Sequence, residues 1–333
     1  MEYNLATIDS IKQQLAVRPN EVRLINQLAI AYLNVPEAGK YSEVDSLFEL
    51  AFEKVQQLGT ANNLAYWMII DWGEAKKGLD ILIPFVNGFE VPYITTSLIG
   101  YAHLILNQYA DAVDSLEVSY DLSKNCLDLN NLCVSLALNN QMGRAARLHE
   151  RHYIKERPLD NVSFYNYGIT LAALKKYEQS KKCIAGIQKS EYYLSNEGGI
   201  GEIELCQLAY YIGDFQLAYD LVNGAEGYAL SYFPEIAYIL YHFNRSRYWQ
   251  MIEKEIATEN HWIQELITTN EEGLSEEEKS DEIGERSDTI EKLNDFHLTL
   301  HEAPKVELAD LYEIQYCGCK LYGCHRHANP EWP

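Results

Sequence analysis

One stretch of this sequence recurs at an interval of about 34 residues. The segment IGYAHLILNQYADAVDSLEVSY, residues 99–120, aligns with YGITLAALKKYEQSKKCIAGI, residues 167–187, at an offset of 68, which is twice that interval. In this alignment Gly100 falls on Gly168. Because one short helix pair cannot bury its apolar face alone, recurrence at this period predicts helix pairs that stack on their neighbours.

The copies extend from Glu21 to Ala257 and number about seven, one of them centred near Gly143 between the two quoted segments. Each has apolar residues at the i, i+3, i+4 and i+7 spacing of an amphipathic helix. We therefore predict an all-α fold, a right-handed helical-repeat solenoid with a small C-terminal Cys/His-rich appendage. Small residues recur where the helices of a pair should approach closely: Gly100, Ala112, Gly168, Ser180 and Ala218.

These repeats resemble the tetratricopeptide repeat (TPR) family over residues 21–257. The tryptophan position of that family holds Thr96, Asn130 and Phe164 here, so the copies are divergent. The resemblance implies a groove, lined by the first helix of each pair, that holds a peptide or a protein element. Side chains on this face either contact a partner or pack against the next unit. The resemblance assigns five residues to partner binding: Tyr101, Asn131, Tyr165, Tyr210 and Tyr211.

The chain has a formal net charge of −22. Nucleic acid and anionic membrane surfaces would repel it, so both are excluded as direct partners. The charge favours a basic protein or protein domain as the partner. The alternative is that acidity only keeps the protein soluble. The sequence predicts no particular oligomeric state.

The protein is predicted to be cytoplasmic. Its first residues lack the basic start and apolar centre of a secretory signal. The segment 91–110 has no formally charged residue, but Pro92 and His103 within it indicate a soluble helix rather than a membrane span. Four cysteines stand singly in apolar helical contexts, which is typical of buried, reduced thiols: Cys126, Cys133, Cys183 and Cys206.

We divide the chain into helical repeats at 1–257, a helix with an acidic linker at 258–289, and a Cys/His-rich segment at 290–333. The stretch 270–288 has nine acidic residues against two basic ones. This composition is typical of a solvated linker or a mobile helical edge, and alternatively of an arm that contacts a basic partner. After it, the pattern fits a hairpin and a last helix pair equally well.

The C-terminal YCGCKLYGCHRHANP, residues 316–330, concentrates thiols and imidazoles. A structural zinc site needs four such ligands in a tetrahedron, and the neighbouring Gly318 and Gly323 permit the tight turns of a clip. We predict one structural zinc here, in a clip that covers the end of the solenoid. The alternatives are a disulfide or redox pair and an inert tail. The candidate ligands are Cys317, Cys319, Cys324, His325 and His327.

The sequence offers no catalytic group of residues. HERH, at 149–152, is one residue short of the zinc-protease spacing H-E-x-x-H. We therefore interpret the protein as a non-catalytic protein-binding module for a basic partner, in one version an immunity protein that neutralises a bacterial toxin. The alternatives are a scaffold or adaptor of a secretion or regulatory complex, and a metal-dependent or redox protein that uses the Cys/His cluster.

Overall fold

The computed structural model describes most of the chain as α-helices joined by short turns, with no strand in the part described. Side chains are described for these residues except 152–156. The described ranges are 3–86, 91–156, 160–190, 199–225, 229–268 and 275–330.

The helices of the described ranges are numbered in chain order. They are α1 (Leu5–Val17), α2 (Val22–Asn34), α3 (Val44–Lys54), α4 (Leu58–Ile70), α5 (Ala75–Leu82), α6 (Tyr93–Ile105), α7 (Tyr109–Ser123), α8 (Cys126–Leu138), α9 (Met142–Glu156), α10 (Asn161–Ala173), α11 (Tyr177–Gln188), α12 (Glu202–Tyr211), α13 (Phe215–Val222), α14 (Pro234–Phe243), α15 (Arg245–Thr268), α16 (Glu276–Asp295) and α17 (Leu308–Leu311).

Consecutive helices pack on each other, so the predicted all-α helical-repeat fold is confirmed. The pairs α2–α3, α4–α5, α6–α7, α10–α11 and α12–α13 all make extensive contact, and so do α14–α15. First helices of successive pairs also touch: α4 contacts α6, α6 contacts α8, and α10 contacts α12. No described helix is both long and apolar enough to cross a membrane.

A left-handed residue follows the first helix of successive pairs. Asn107, Asn140 and Lys175 have φ of 60°, 59° and 60°, and Gly73 and Gly213 have 68° and 78°. A residue in this conformation ends a helix and turns the chain back, which lets the second helix lie antiparallel to the first. Glycine adopts this conformation without strain. At the equivalent turns of other pairs, asparagine or lysine adopts it instead.

Small residues let paired helices approach, as predicted. A β-carbon at Gly100 would lie 2.5 Å from Cγ of Leu116 on the paired helix. At Gly168 the nearest atoms, on Cys183 and Leu208, would be 3.1 Å away. Distances under 3 Å are closer than carbon atoms pack, so Gly100 is sterically required where Gly168 is only favoured.

The contacts divide the chain into two compact units. The first comprises Met1–Leu148 with Ile314–Pro333, and the second is His149–Glu313. The core of the first unit includes apolar residues of α1 to α6 together with Cys317, Leu321 and Cys324. Residues near the C-terminus of the sequence are thus part of that core.

Most of the predicted acidic linker is helical. Residues 269–274 lie outside the described ranges, but α15 continues to Thr268 and α16 begins at Glu276. Ser275 starts α16 with a capping box: its hydroxyl accepts from the Glu278 amide at 3.2 Å, and Glu278 accepts from the Ser275 amide at 2.8 Å. Carboxylates in the first turn are also stabilised by the positive end of the helix dipole. The sequence S-E-E-E at 275–278 therefore marks the start of a helix.

The region after α16 forms neither a hairpin nor a helix pair. A 3-10 turn spans Phe296–Thr299, and α17 is only four residues long. We call residues 301–330 the C-terminal segment; outside α17 and the turn at His325–His327 it has no regular secondary structure. Several of its main-chain groups therefore bond to side chains from other parts of the protein.

Candidate functional site

Asparagines of the first helices hold the main chain of the C-terminal segment. In the first unit, Asn63 on α4 donates to the Tyr322 carbonyl at 3.1 Å and accepts from the Tyr322 amide at 2.7 Å. Asn131 on α8 does the same to Gln315, at 2.7 and 3.0 Å. An amide side chain can donate to the carbonyl of a residue and accept from the N–H of the same residue. This pairing depends on the main chain of that residue and not on its side chain.

Further buried polar groups complete this contact in the first unit. Asn62 donates to the Lys320 carbonyl at 2.6 Å, and Thr95 donates to Asn62 at 2.9 Å. Asn26 on α2 donates to the Tyr322 carbonyl at 3.3 Å and accepts from Asn63. These side chains form one hydrogen-bonded network, which is how buried amides are kept satisfied.

The second unit uses the same device on an earlier part of the segment. Asn166 on α10 donates to the Glu313 carbonyl at 2.7 Å and accepts from its amide at 3.0 Å. Tyr210 on α12 donates to the Pro304 carbonyl at 2.8 Å. Within each unit, then, first helices bind an irregular polypeptide through its main chain.

A buried ion pair fixes Lys320 of the segment in the first unit. Its Nζ lies 3.6 Å from Oδ1 of Asp128 on α8, and the two side chains are 3% and 0% exposed. Asp128 also accepts hydroxyl hydrogen bonds from Ser97 at 2.5 Å and Ser119 at 2.6 Å. The Lys320 ammonium lies over the ring of Tyr93. A buried carboxylate with a cation and hydroxyl donors is well compensated.

The residues predicted to bind a partner face the protein's own segment or the interior. Asn131 and Tyr210 hydrogen-bond to the segment as described above. Tyr101 packs against the core of the first unit, and Tyr165 is fully buried. Tyr211 is half-buried on α12. Whether any of them also contacts another protein stays a prediction.

Three of the five predicted metal ligands lie together. Single ligand atoms of Cys319, Cys324 and His327 are all within 4.8 Å of one another, and Cys324 Sγ is 3.3 Å from His327 Nδ1. Gly318 and Gly323, with φ of 76° and 75°, provide the two turns. This much of the predicted clip is therefore assembled.

Asn329 closes the loop that contains these ligands. Its Nδ2 donates to the carbonyls of Cys319 and Leu321, both at 3.0 Å. The Gly323 amide donates to the Pro330 carbonyl at 2.8 Å. At the end of the loop, the hydroxyl of Tyr3 accepts from the His325 amide at 3.2 Å. Tyr3 lies just before α1, while earlier residues of the segment bond to α4 and α8. That the segment covers the end of the solenoid stays a prediction.

The two thiols of this group differ in acidity. A hydrogen bond from Cys319 and the proximity of His327 lower the pKa of Cys324, whereas the same hydrogen bond and burial raise the pKa of Cys319. The lowered pKa favours the thiolate form at Cys324, and two thiols beside an imidazole are a ligand set suited to a soft or borderline metal.

Cys317 and His325 are not part of this group. The Cys317 thiol is buried in the core of the first unit, where it donates to the Gly318 carbonyl at 3.5 Å. Burial raises the pKa of Cys317 to about 12. Gly318, in the left-handed conformation with a φ of 76°, turns the chain between Cys317 and Cys319, so the two thiols need not point to one site.

Helix α16 presents a row of carboxylates to solvent. Asp281, Glu285 and Asp288 are exposed and lie at i, i+4 and i+7, which places them on one face. Two of the three cations of this helix pair with other carboxylates: Lys279 with Glu276, and Arg286 with Glu259 and Glu282. Like charges at these spacings repel one another.

Neither a scan against protein-family models nor a search of curated proteins finds a match to this chain.

Proposed function

We propose that this protein is a non-catalytic, cytoplasmic helical-repeat module that binds a basic protein partner. The observation that supports the proposal is the exposed face of α16, where Asp281, Glu285 and Asp288 have no cationic partner among the described residues. A basic surface docked there would relieve the repulsion among these three carboxylates. Long-range attraction to the acidic chain would also speed the association of a basic partner.

The test is affinity purification of the full chain from its native host, with mass spectrometry of the proteins that co-purify. A basic partner should associate more slowly as salt rises, because the Debye length falls from about 10 Å at 0.1 M to about 3 Å at 1 M. Replacing Asp281, Glu285 and Asp288 with Asn or Gln should slow association further. A partner whose association ignores both changes would contradict the proposal.

A specific form of this proposal is an immunity protein for a bacterial toxin. Such a protein would cover the toxin's active site, and the toxin would be encoded beside it. The scaffold alternative would instead give several unrelated partners in the same purification. A single basic enzyme encoded by a neighbouring gene supports the immunity form, and a set of partners from one complex supports the scaffold.

We also propose that Cys319, Cys324 and His327 supply three of the four ligands of one structural zinc ion. Bond lengths of about 2.3 Å to sulfur and 2.0–2.1 Å to nitrogen place tetrahedral ligands about 3.3–3.8 Å apart. The 3.3 Å between Cys324 Sγ and His327 Nδ1 is already of that size. When bound, zinc would cross-link a loop that Asn329 and the two glycines have already shaped.

Elemental analysis of protein purified without added metal tests this second proposal. About one zinc per chain is expected, and Cys324→Ser and His327→Asn should each lose most of it. The matched controls are Cys317→Ser and His325→Asn, because these neighbours lie outside the three-ligand group and should keep the metal. Equal losses in both sets, or full reactivity of Cys319 and Cys324 toward a thiol reagent in the wild type, would contradict the proposal.

A further inference from the structure

An open groove of about 990 Å³ lies in the first unit, away from the contact with the C-terminal segment. Side chains of α6, of α7 and of the turn after α5 line it. We call it the α6–α7 groove. Residues 87–90, which connect the turn after α5 to α6, lie outside the described ranges.

The α6–α7 groove uses a face of α6 that the C-terminal segment does not contact. Thr96, Ile99 and His103 line the groove, at the i, i+3 and i+7 spacing of one helix face. Thr95, one residue earlier and so turned by about 100°, instead has its hydroxyl 3.2 Å from the hydroxyl of Tyr322. At Thr95 the helix thus meets the protein's own chain, whereas the face that lines the groove is open to another molecule.

Apolar side chains are exposed at one end of this groove. Val118 and Leu122, one turn apart on α7, are 49% and 61% exposed, and Ile83 in the turn after α5 is 38% exposed. The Ser119 hydroxyl donates to the Tyr93 carbonyl at 3.0 Å, so this end of α7 lies beside the start of α6. Exposed apolar side chains that share one depression are typical of a binding surface, because a partner that covers them removes apolar area from water.

The other end of the groove is acidic. Asp111 and Asp114 line it and are exposed in the first half of α7. Arg144 forms its ion pair with a different residue of this helix, Glu117. Asp111 stands in the first turn, where the helix dipole stabilises a carboxylate, whereas Asp114 lies beyond that turn and beyond most of that effect. A cation bound at this end would therefore gain most from Asp114.

The length of the groove and its two different ends fit an amphipathic helix with a basic end. The lining of α7 extends from Asp111 to Leu122, which is about 16 Å at 1.5 Å per residue, or about three turns of helix. A helix bound in a groove is held by the apolar side chains of one face. If these cover Val118 and Leu122, side chains about two turns away lie near Asp114, where lysine or arginine is complementary in charge. A small apolar ligand would leave the acidic end unused.

We propose that the α6–α7 groove binds an amphipathic helix of the basic partner, with its apolar residues on Val118 and Leu122 and a lysine or arginine beside Asp114. The inference rests on the proposed function and specifies a second contact surface, one that recognises a helical element. Exposed carboxylates such as those of α16 act mainly on the association rate, whereas a buried apolar contact acts mainly on the dissociation rate. The two surfaces therefore have separate kinetic signatures.

The test uses the full chain and a fluorescein-labelled synthetic peptide of about twelve residues, the length of three helical turns. The peptide has leucines at i, i+3 and i+4, two lysines about two turns after them, and alanine or glutamine elsewhere. A comparison peptide has the same composition in an order that gives no apolar face. Fluorescence polarisation should show about tenfold tighter binding of the amphipathic peptide, since both peptides carry the same charge.

Substitutions in the groove are compared with matched exposed positions on α1. Val118→Ser and Leu122→Ser should each weaken binding of the amphipathic peptide about fivefold, because each side chain is about half exposed until a ligand covers it. Val17→Ser is the apolar control and should have no effect. Asp114→Asn should weaken binding about threefold at low salt and not at about 1 M salt. Asp9→Asn is the control for this charge. Exposed substitutions of this kind change stability little, so all these variants should fold.

Three outcomes would overturn the inference. They are equal or absent binding of the two peptides, equal weakening by Val118→Ser and Val17→Ser, and a wild-type dimer in sedimentation that Leu122→Ser converts to a monomer. The last outcome would mean that a second copy of the chain covers the groove. The proposed function fails separately, when no basic partner co-purifies. A salt-sensitive partner that dissociates no faster from Leu122→Ser than from the wild type would leave the function standing and remove the helix-binding groove.

Discussion

Each of the two units buries a carboxylate, but the two carboxylates are compensated differently. In the first unit Asp128 is paired with Lys320 and receives hydroxyl donors from Ser97 and Ser119. In the second unit Glu235 is nearly as buried, and its described partner is the neutral Gln207. The first arrangement compensates the buried carboxylate with a cation, whereas the second compensates it with a neutral donor.

This difference suggests a way to distinguish polar groups that stabilise the fold from those that do not. A residue that serves stability should be costly to replace, because its partners were selected for it. A residue kept for binding is not optimised for the folded state alone, and its replacement can leave stability unchanged or raise it. Matched substitutions in the two units can therefore show which role each carboxylate has.

The largest effect is expected from Asp128→Asn. It leaves the Lys320 ammonium buried without its counter-charge, and breaking a buried pair in this way costs about 3–5 kcal/mol of unfolding free energy. Glu235→Gln should lower the unfolding free energy by less than about 1 kcal/mol or should raise it. Urea denaturation at neutral pH measures both.

The control for this pair is the double variant Asp128→Asn with Lys320→Met. Removing both charges should recover most of the stability that Asp128→Asn loses, because the penalty comes from the unpaired ammonium. Similar losses for Asp128→Asn and Glu235→Gln would show that the two units do not differ in this respect.

The next effect concerns the asparagines that hold the segment. Asn63→Ala leaves the buried amide of Tyr322 without its partner and leaves the Tyr322 carbonyl with Asn26 as its donor, at a cost of about 1–3 kcal/mol for the unpaired amide. Asn166→Ala should cost less, because Glu313 is half-buried and water can replace the lost bonds. Equal costs in urea denaturation would mean that the segment is equally buried in both units.

A smaller effect distinguishes the two packing glycines. Gly100→Ala should lower the unfolding free energy by about 1–3 kcal/mol, because the new methyl group overlaps Leu116. Gly168→Ala should be close to neutral, since a clash at 3.1 Å is offset by the better helix propensity of alanine. Thermal melting of the two variants gives the order, and the reverse order would refute the close contact at Gly100.

The smallest effect is a pH dependence in the second unit. The pKa of Glu313 is raised by burial and by Glu204, so ionised Glu313 destabilises the folded state. Glu313→Gln should therefore be more stable than the wild type at pH 7. The difference should shrink as pH falls through the folded pKa and vanish below the unfolded value near 4.5. Stability curves of both proteins against pH, with Glu277→Gln as the exposed control, measure it.

Helical character was predictable because its signals are local. The apolar spacing of the repeats and the small residues at Gly100 and Gly168 act between neighbouring helices. The capping box at Ser275 was equally local, but its meaning was obscured by the high charge of the stretch around it. A helix start there could have been inferred from the S-x-x-E spacing alone.

The asparagines were only partly predictable. Asn131 was assigned to the inner face of the repeat, and Asn63 lies 68 residues before it, in register with the repeat of 34. Asn166 lies 35 residues after it, so one extra residue shifts the register, and the position 34 residues on is Tyr165. A shift of one residue turns a helix by about 100°, which explains why Tyr165 points into the interior and Asn166 meets the segment.

By itself, then, the sequence determined the helical repeat, the close approach of paired helices and the density of thiols and imidazoles near the C-terminus. Only the tertiary structure decided that three of the five candidate ligands converge, that Asn63 binds Tyr322 across 259 residues, and that Lys320 belongs to Asp128. The physical reason is that helix formation depends on neighbours in the chain. Contacts between distant residues depend on the summed rotations of every helix and turn between them.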